Sequence, residues 1–134
     1  MSFVDHYVGE RKQDWLTPDT LFMELQSRFN FTLDGACTEA NKLLPRGSTL
    51  EASLAWQGER VFCNPPWTSI ATFIELAPQA DFACFLVPAR VNAKWFHRAL
   101  ALGAKVEFFQ GKPKFGGAKW NSPTDCLLLL FGAA

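Results

Sequence analysis

The sequence predicts an α/β fold: one domain built on a mostly parallel sheet whose last strand is antiparallel. Short apolar runs alternate with helical patterns along most of the chain, as in strand–helix–strand units. The run at residues 82–87 is apolar without interruption, which is typical of a parallel strand buried on both faces. The final two runs follow each other with no helix between them, so the last strand is expected to run antiparallel.

Composition limits the classes of protein to consider. The 134 residues are 49% hydrophobic and 19% charged, which describes one ordered globular domain. The formal net charge is zero, so any binding to nucleic acid must use a local basic patch. The N-terminus is polar and does not resemble a signal peptide, and the apolar run at residues 126–134 is shorter than a membrane span.

The four cysteines are widely spaced and form no CxxC pattern. This spacing favours a reduced, cytoplasmic protein over a disulfide framework or a zinc site. The two histidines, His6 and His97, are too few and too far apart to suggest a metal, so no metal site is predicted.

The first helix is expected to begin at Thr17-Pro18, with Thr17 as the N-cap and Pro18 in the first turn. It continues to residue 28 with apolar residues at helical spacing. A short strand then ends at Asp34, and residues 38–42 are expected to form a short helix. Residues 44–58 contain proline and glycine and are interpreted as mostly loop, with a possible strand fragment.

The second half of the chain alternates more clearly. The predicted strands cover residues 60–63, 82–87, 106–109 and 126–131. The predicted helices cover residues 69–77, with Ile70, Phe73 and Ile74 inward, and 93–102. Residues 111–123, between the last two strands, are expected to form a polar loop.

The motif Asn64-Pro65-Pro66-Trp67 directly follows the strand at residues 60–63. The prolines end the strand and stiffen the chain at its carboxyl end, where α/β sheets bind ligands. An amide, proline carbonyls that no local N–H is expected to use, and an aromatic face together suit an amino group on a flat ring. The alternative is a proline-rich turn whose Trp67 belongs to the core.

Asp34-Gly35-Ala36-Cys37 forms a second candidate site at the end of the first strand. An acidic residue at such a strand end, followed by small residues, can shape the pocket of a nucleoside-bearing cofactor. Gly35 and Ala36 would let the backbone approach the ligand closely. As a single feature, however, Asp34 is more often a cap or turn residue, so both interpretations stay open.

Together, these motifs resemble the phage-type DNA N6-adenine methyltransferase family, the small Dam-like amino-methyltransferases of phages and prophages. The resemblance extends from about Trp15 to Phe131. The landmarks occur in the order Trp15, Thr17-Pro18, 29–37, Asn41, Trp56, 62–67, 87–90, Trp95-Phe96, Gly111-Lys112 and Phe115.

The resemblance implies a single Rossmann-like class I methyltransferase domain over residues 1–134, with residues 1–14 as an N-terminal extension and no separate recognition domain. It implies S-adenosylmethionine as the methyl donor, adenine in DNA as the acceptor, and the host cytoplasm as the location. The implied catalytic residues are Asn64, Pro65, Pro66 and Trp67. The implied cofactor-binding residues are Trp15, Thr17, Pro18, Asp34, Gly35, Ala36, Cys37 and Glu51.

The chain departs from the family pattern at two places. Trp67 stands where tyrosine is usual, but it keeps an aromatic face. The stretch between Asn41 and Trp56 is short for a full second strand, and Ala52 stands where an aspartate is expected. Glu51, beside it, is the candidate replacement.

Positive charges after two strand ends are the candidate DNA contacts. They are Arg90, Lys94 and Arg98 on or before one helix, and Lys112, Lys114 and Lys119, with Trp120, in the long loop. Both segments are expected at the same edge of the sheet as Asn64. The alternative is an ordinary solvated helix face and a solubilising loop.

Two other functions stay open. The Asn-Pro-Pro motif also serves methylation of cytosine N4 and of protein glutamine. A non-catalytic relic that binds only S-adenosylmethionine or DNA would fit the shortened region between Asn41 and Trp56.

Overall fold

The computed structural model describes residues 17–38, 40–49, 54–109 and 125–133. Six predicted site residues lie outside these ranges: Trp15, Glu51, Lys112, Lys114, Lys119 and Trp120. Within the described ranges the helices are α1 (Asp19–Phe29), α2 (Ile70–Ile74) and α3 (Lys94–Ala101). The strands there are β1 (Leu33–Asp34), β2 (Arg60–Cys63), β3 (Phe82–Pro88), β4 (Lys105–Phe108) and β5 (Cys126–Gly132). None of these helices is long and apolar enough to cross a membrane.

The described strands form one sheet in the order β1-β2-β3-β5-β4. The first three pair in parallel, whereas β5 pairs antiparallel with both β3 and β4. All seven residues of β3 are buried. The predicted α/β class, the buried strand at residues 82–87 and the antiparallel last strand are therefore confirmed.

Helices cover both faces of the central part of the sheet, which explains why β3 and β5 are apolar without alternation. Odd-numbered residues of the central strands, such as Val61 and Phe85, pack with α2 and α3. Even-numbered residues, such as Phe62 and Leu86, pack with Phe22 and the rest of the apolar side of α1. Because side chains alternate along a strand, burial on both faces requires an apolar residue at nearly every position.

The strand register brings several chain segments to one edge of the sheet, which we call the carboxyl edge. Asp34, Cys63 and Pro88 end the three parallel strands there. Since β3 and β4 are both antiparallel to β5, the end of β4 also lies at this edge, beside the start of β5. The carboxyl edge is therefore formed by the residues that follow β1, β2, β3 and β4 and by the residue before β5.

Two local predictions are wrong. Thr17 is not the N-cap of α1: Pro18 holds that position, without a side-chain bond, and its carbonyl accepts the Phe22 N–H at 3.0 Å.

The described part of residues 38–42 is a turn rather than a helix. There the Thr38 N–H donates to Asn41 Oδ1 at 2.7 Å, and the Asn41 N–H donates to Thr38 Oγ1 at 3.3 Å. These side chains satisfy the backbone locally and so compete with helix formation.

The helix predicted over residues 69–77 is shorter than expected. Only Ile70–Ile74 is α-helical, and 3₁₀ turns at Trp67–Ser69 and Ala77–Gln79 flank it. Ile70 and Ile74 are buried as predicted, while Phe73 is half-buried.

The predicted shortening of the second-strand region agrees with the described residues there. Gly47 forms a single parallel bridge to Asp34, on the side of β1 away from β2. The Asp34 N–H donates to the Arg46 carbonyl at 2.9 Å, and the Ser48 N–H donates to the Asp34 carbonyl at 2.8 Å. Within residues 40–49 this bridge takes the place of a strand.

We predict that Gly35→Ala destabilises the fold because it overfills the core. A Cβ at Gly35 would lie 2.7 Å from Trp56 Cζ2 and 2.7 Å from Val61 Cγ1, and both side chains are buried. The free energy of unfolding should fall by about 1–3 kcal/mol in chemical denaturation. Ala71→Ser, at an exposed position of α2, is the control and should change it by less than about 0.5 kcal/mol. Equal stability of the two variants would contradict this packing argument.

Candidate functional site

Buried polar side chains collect at the carboxyl edge. In the part of the chain that the structure describes, the buried polar or charged side chains are Thr17, Asp34, Ser48, Thr49 and Asn64. Asp34 ends β1, Asn64 directly follows β2, and the Ser48 N–H bonds the Asp34 carbonyl. Burial of polar groups is costly without partners, so their concentration at one place marks it as the candidate site.

Asn64 is joined to the segment that precedes α1. Its Nδ2 donates to Thr17 Oγ1 at 3.1 Å, and the two residues are 5% and 6% exposed. Side-chain alternation explains the meeting: Phe62 faces α1, Cys63 faces the opposite layer, and Asn64 turns back toward α1. Thr17, which the sequence assigned to the cofactor, therefore contacts the motif assigned to the target.

Pro65 and Pro66 are buried and lead into the 3₁₀ turn at Trp67–Ser69. The expectation that the proline carbonyls are unused is wrong for Pro66, whose carbonyl accepts the Ser69 N–H at 2.8 Å. Among the described residues no N–H donates to the Pro65 carbonyl. One acceptor of the motif is thus consumed by the turn, because a 3₁₀ start requires an acceptor three residues earlier.

Trp67 is half-buried and packs against the cores on both faces of the sheet. The alternative interpretation of this residue as part of the core is therefore correct for the buried part of the indole. Part of the residue stays exposed to solvent.

The Asp34 carboxylate is buried and held by two backbone N–H groups. Ala36 donates to Oδ1 at 3.3 Å and Leu43 donates to Oδ2 at 3.0 Å. Burial raises the pKa of Asp34 to about 6, while these two hydrogen bonds oppose the rise. No cationic side chain of the described residues acts on it. The turn interpretation of Asp34 is thus observed, and its carboxylate stays buried at the site with no cationic partner in the part of the chain that the structure describes.

The small residues after Asp34 are explained by packing. Trp56 and Val61 fill the space over Gly35, and Ala36 belongs to the core on the α2–α3 face. Cys37 is buried, and its N–H donates to the Ser48 carbonyl at 3.3 Å. A role for these residues toward a cofactor stays a prediction.

Exposed cations follow β3 at the carboxyl edge. Arg90 opens a turn in which its carbonyl accepts the Ala93 N–H at 3.0 Å, and both Arg90 and Lys94 are exposed. Arg98, which was expected to join them, instead makes a two-pronged ion pair with Glu75 at 2.7 and 3.0 Å. Arg90 and Lys94 have no ion pair among the described residues, so they can meet an external anion.

Sequence reasoning missed Ser48 and Thr49 as buried polar residues of this edge. Ser48 Oγ accepts the Leu54 N–H at 2.9 Å. These positions lie in a stretch without periodicity, so the sequence offered no signal for their burial.

Comparison with known proteins agrees with the motifs. A family model described as "DNA N-6-adenine-methyltransferase (Dam)" matches residues 5–126, which is most of the chain. The comparison with curated proteins found no match.

We predict that Asp34 gives the stability of the protein a distinct pH dependence. Its pKa is about 6 in the folded chain and 3.8 ordinarily, so the folded state binds more protons between these values. Its contribution to stability should therefore improve as the pH falls from 7 to 4, by at most about 3 kcal/mol. The free energy of unfolding of the wild type minus that of Asp34→Asn should rise over this range in urea titrations. If this difference in the free energy of unfolding does not change with pH, the pKa of Asp34 is not raised in the folded chain.

Proposed function

We propose that this chain, which belongs to the DNA N-6-adenine-methyltransferase (Dam) family, transfers the methyl group of S-adenosylmethionine to the N6 amine of adenine in DNA. We further propose a Rossmann-like class I methyltransferase domain and a phage or prophage origin. The observation that carries the proposal is the buried Asn64 amide at the end of β2, followed by the rigid Pro65-Pro66 and an aromatic ring.

The target amine needs hydrogen-bond acceptors beside it rather than a strong base. The N6 lone pair is delocalised into the purine ring, so the amine is a poor nucleophile. In the proposed mechanism Asn64 Oδ1 and the Pro65 carbonyl accept the two N6–H bonds, which localises the lone pair on nitrogen. The Pro65 carbonyl suits this task because no N–H of the described residues uses it. The rate gain then comes from orientation and fixed dipoles.

A base inside a duplex cannot reach Asn64, so the adenine must be flipped out or already single-stranded. Trp67, which is half-buried, would stack on it with its indole ring. Stacking of a base on an aromatic side chain contributes on the order of 1–3 kcal/mol. The buried part of Trp67 would keep the ring from rotating away.

The residues at β1 fit a cationic cofactor. S-adenosylmethionine carries a sulfonium and an ammonium group, and the buried Asp34 carboxylate has no cationic partner among the described residues. Burial raises the pKa of the Cys63 thiol, and the nearby Asp34 charge adds to the rise, so this carboxylate acts on the residue just before Asn64. Asp34 and Pro18 would hold the cofactor, which supplies an electrophilic methyl group when bound.

DNA would lie across the carboxyl edge. Arg90 and Lys94 present unpaired charge there among the described residues, and Phe109 and Asp125 flank the segment that carries Lys112, Lys114, Lys119 and Trp120. A local patch of this kind is required because the net charge of the chain is zero.

A non-catalytic relic is the second candidate. Two observations favour it: the single bridge at Gly47 takes the place of a second strand in residues 40–49, and backbone N–H groups already occupy the Asp34 carboxylate. Such a relic would bind S-adenosylmethionine or DNA but would transfer no methyl group.

The test combines binding and turnover. Calorimetric titration with S-adenosylmethionine should show binding, and radiolabelled methyl groups should appear as N6-methyladenine in previously unmethylated DNA. Binding without transfer would establish the relic. Radiolabel found in cytosine N4 or in protein glutamine would show that the acceptor is not the N6 amine of adenine. Absence of both binding and transfer would refute the proposal.

We predict that substitutions separate the two tasks of the motif. Asn64→Ala removes the acceptor and should reduce methyl transfer by about 100-fold or more, with cofactor affinity kept within a few-fold. Trp67→Phe and Trp67→Tyr keep an aromatic face and should retain much of the activity, whereas Trp67→Ala should lose most of it. Rates are measured at saturating cofactor. Normal turnover by Asn64→Ala would mean that the motif is only a turn.

We predict that Arg90 contributes to salt-sensitive DNA binding. Arg90→Ala should lower the slope of log affinity against log salt by about one, because one phosphate contact is lost. Arg98→Ala is the matched control, since Arg98 already pairs with Glu75, and it should change the slope much less. Fluorescence anisotropy with labelled DNA measures both, and equal effects of the two variants would argue against a specific role of Arg90.

A further inference from the structure

We propose that Thr17 is a positioning residue for the target amine: its hydroxyl holds the Asn64 amide so that Oδ1 faces the reacting nitrogen. This inference rests on the proposed function. It differs from the role that the resemblance implies for Thr17, which is contact with the cofactor.

The contact itself is well placed for this task. Thr17 Oγ1 and Asn64 Nδ2 lie 3.1 Å apart, between residues 47 positions apart in the chain, and both side chains are buried. The Thr17 hydroxyl has no capping task, because Pro18 caps α1 without a side-chain bond. A buried hydroxyl needs a partner, and within the described residues Asn64 provides it.

The geometry of an amide explains the consequence. The terminal torsion of asparagine is soft, so an unanchored amide can turn its NH₂ group toward the target. The NH₂ group cannot accept a hydrogen bond and would oppose an incoming amine. Because Nδ2 is bonded to Thr17, Oδ1 occupies the opposite side of the planar amide. Pro65 and Pro66 restrict the backbone that follows Asn64. The terminal torsion of the Asn64 side chain is therefore the main degree of freedom that a hydrogen bond must fix.

Thr17→Val and Thr17→Ser test this role. Valine keeps the shape but removes the hydroxyl, so turnover at saturating cofactor and DNA should fall roughly tenfold, as expected for one lost hydrogen bond. Serine keeps the hydroxyl and should stay within about threefold of the wild type. The dissociation constant of S-adenosylmethionine should change less than about threefold in both variants.

A matched control separates positioning from stability. Thr32→Val removes another hydroxyl, which bonds Glu59 Oε1 at 2.8 Å and lies before β1, at the opposite edge of the sheet. It should lower the free energy of unfolding without changing turnover. In an Asn64→Ala background, Thr17→Val should cause no further loss of activity, because the group it positions is absent.

A readout without turnover makes the result independent of the proposed function. The Asn64 side-chain NH₂ protons should exchange with solvent more slowly in the wild type and in Thr17→Ser than in Thr17→Val, as measured by NMR. If the wild type transfers no methyl group, the proposed function fails, and this exchange result alone decides whether Thr17 holds the amide.

Three results would overturn the inference. Wild-type turnover by Thr17→Val would show that the amide needs no anchor. Weaker cofactor binding with unchanged turnover at saturation would make Thr17 a cofactor contact only. Equal losses in Thr17→Ser and Thr17→Val would assign the effect to the methyl group, and hence to packing.

Discussion

The pairing of β3 with β5 over its full length is the constraint on which the rest of the structure depends. Seven residue pairs join these strands, from Phe82 with Gly132 to Pro88 with Cys126. By contrast, β2 pairs with β3 over four residues. Because β5 runs antiparallel to β3 and also pairs with β4, the chain is brought back to the edge where the parallel strands end. The register of β3 with β5 therefore determines which chain segments lie together at the carboxyl edge.

The site follows from how an apolar sheet must end. Both faces of the central strands are covered, and the buried polar side chains of Asp34 and Asn64 lie where β1 and β2 stop. There the backbone also needs partners, and the Asp34 carboxylate supplies them to Ala36 and Leu43. Asn64 is held from the other side by Thr17. The groups that could bind ligands thus also keep the edge in shape, which is why their burial is tolerated.

Several of the charged side chains of the described residues are paired with one another. The described ion pairs join separate elements: Arg28 to Glu107, Arg46 to Glu59 and Arg98 to Glu75. Each is exposed enough that its contribution to stability is small, but each neutralises a cation, whereas Arg90 and Lys94 have no ion pair among the described residues. A chain with zero net charge can therefore still present a basic patch after β3. Any attraction for a polyanion would be local and would also set its orientation.

The sequence by itself determined the fold class, the buried strand at residues 82–87 and the position of Asn64-Pro65-Pro66-Trp67 after a strand. These features depend on local patterns: continuous apolar runs, proline stops and the spacing of landmarks. Only the tertiary structure decided the partner of Thr17, whereas local hydrogen bonds set the use of the Pro66 carbonyl and the turn where a helix over residues 38–42 was expected. The physical reason is that a polar group bonds whichever partner the fold brings within reach. Thr17 is a good N-cap by type, but packing of α1 against the sheet places its hydroxyl beside an amide 47 residues away, which no local pattern encodes.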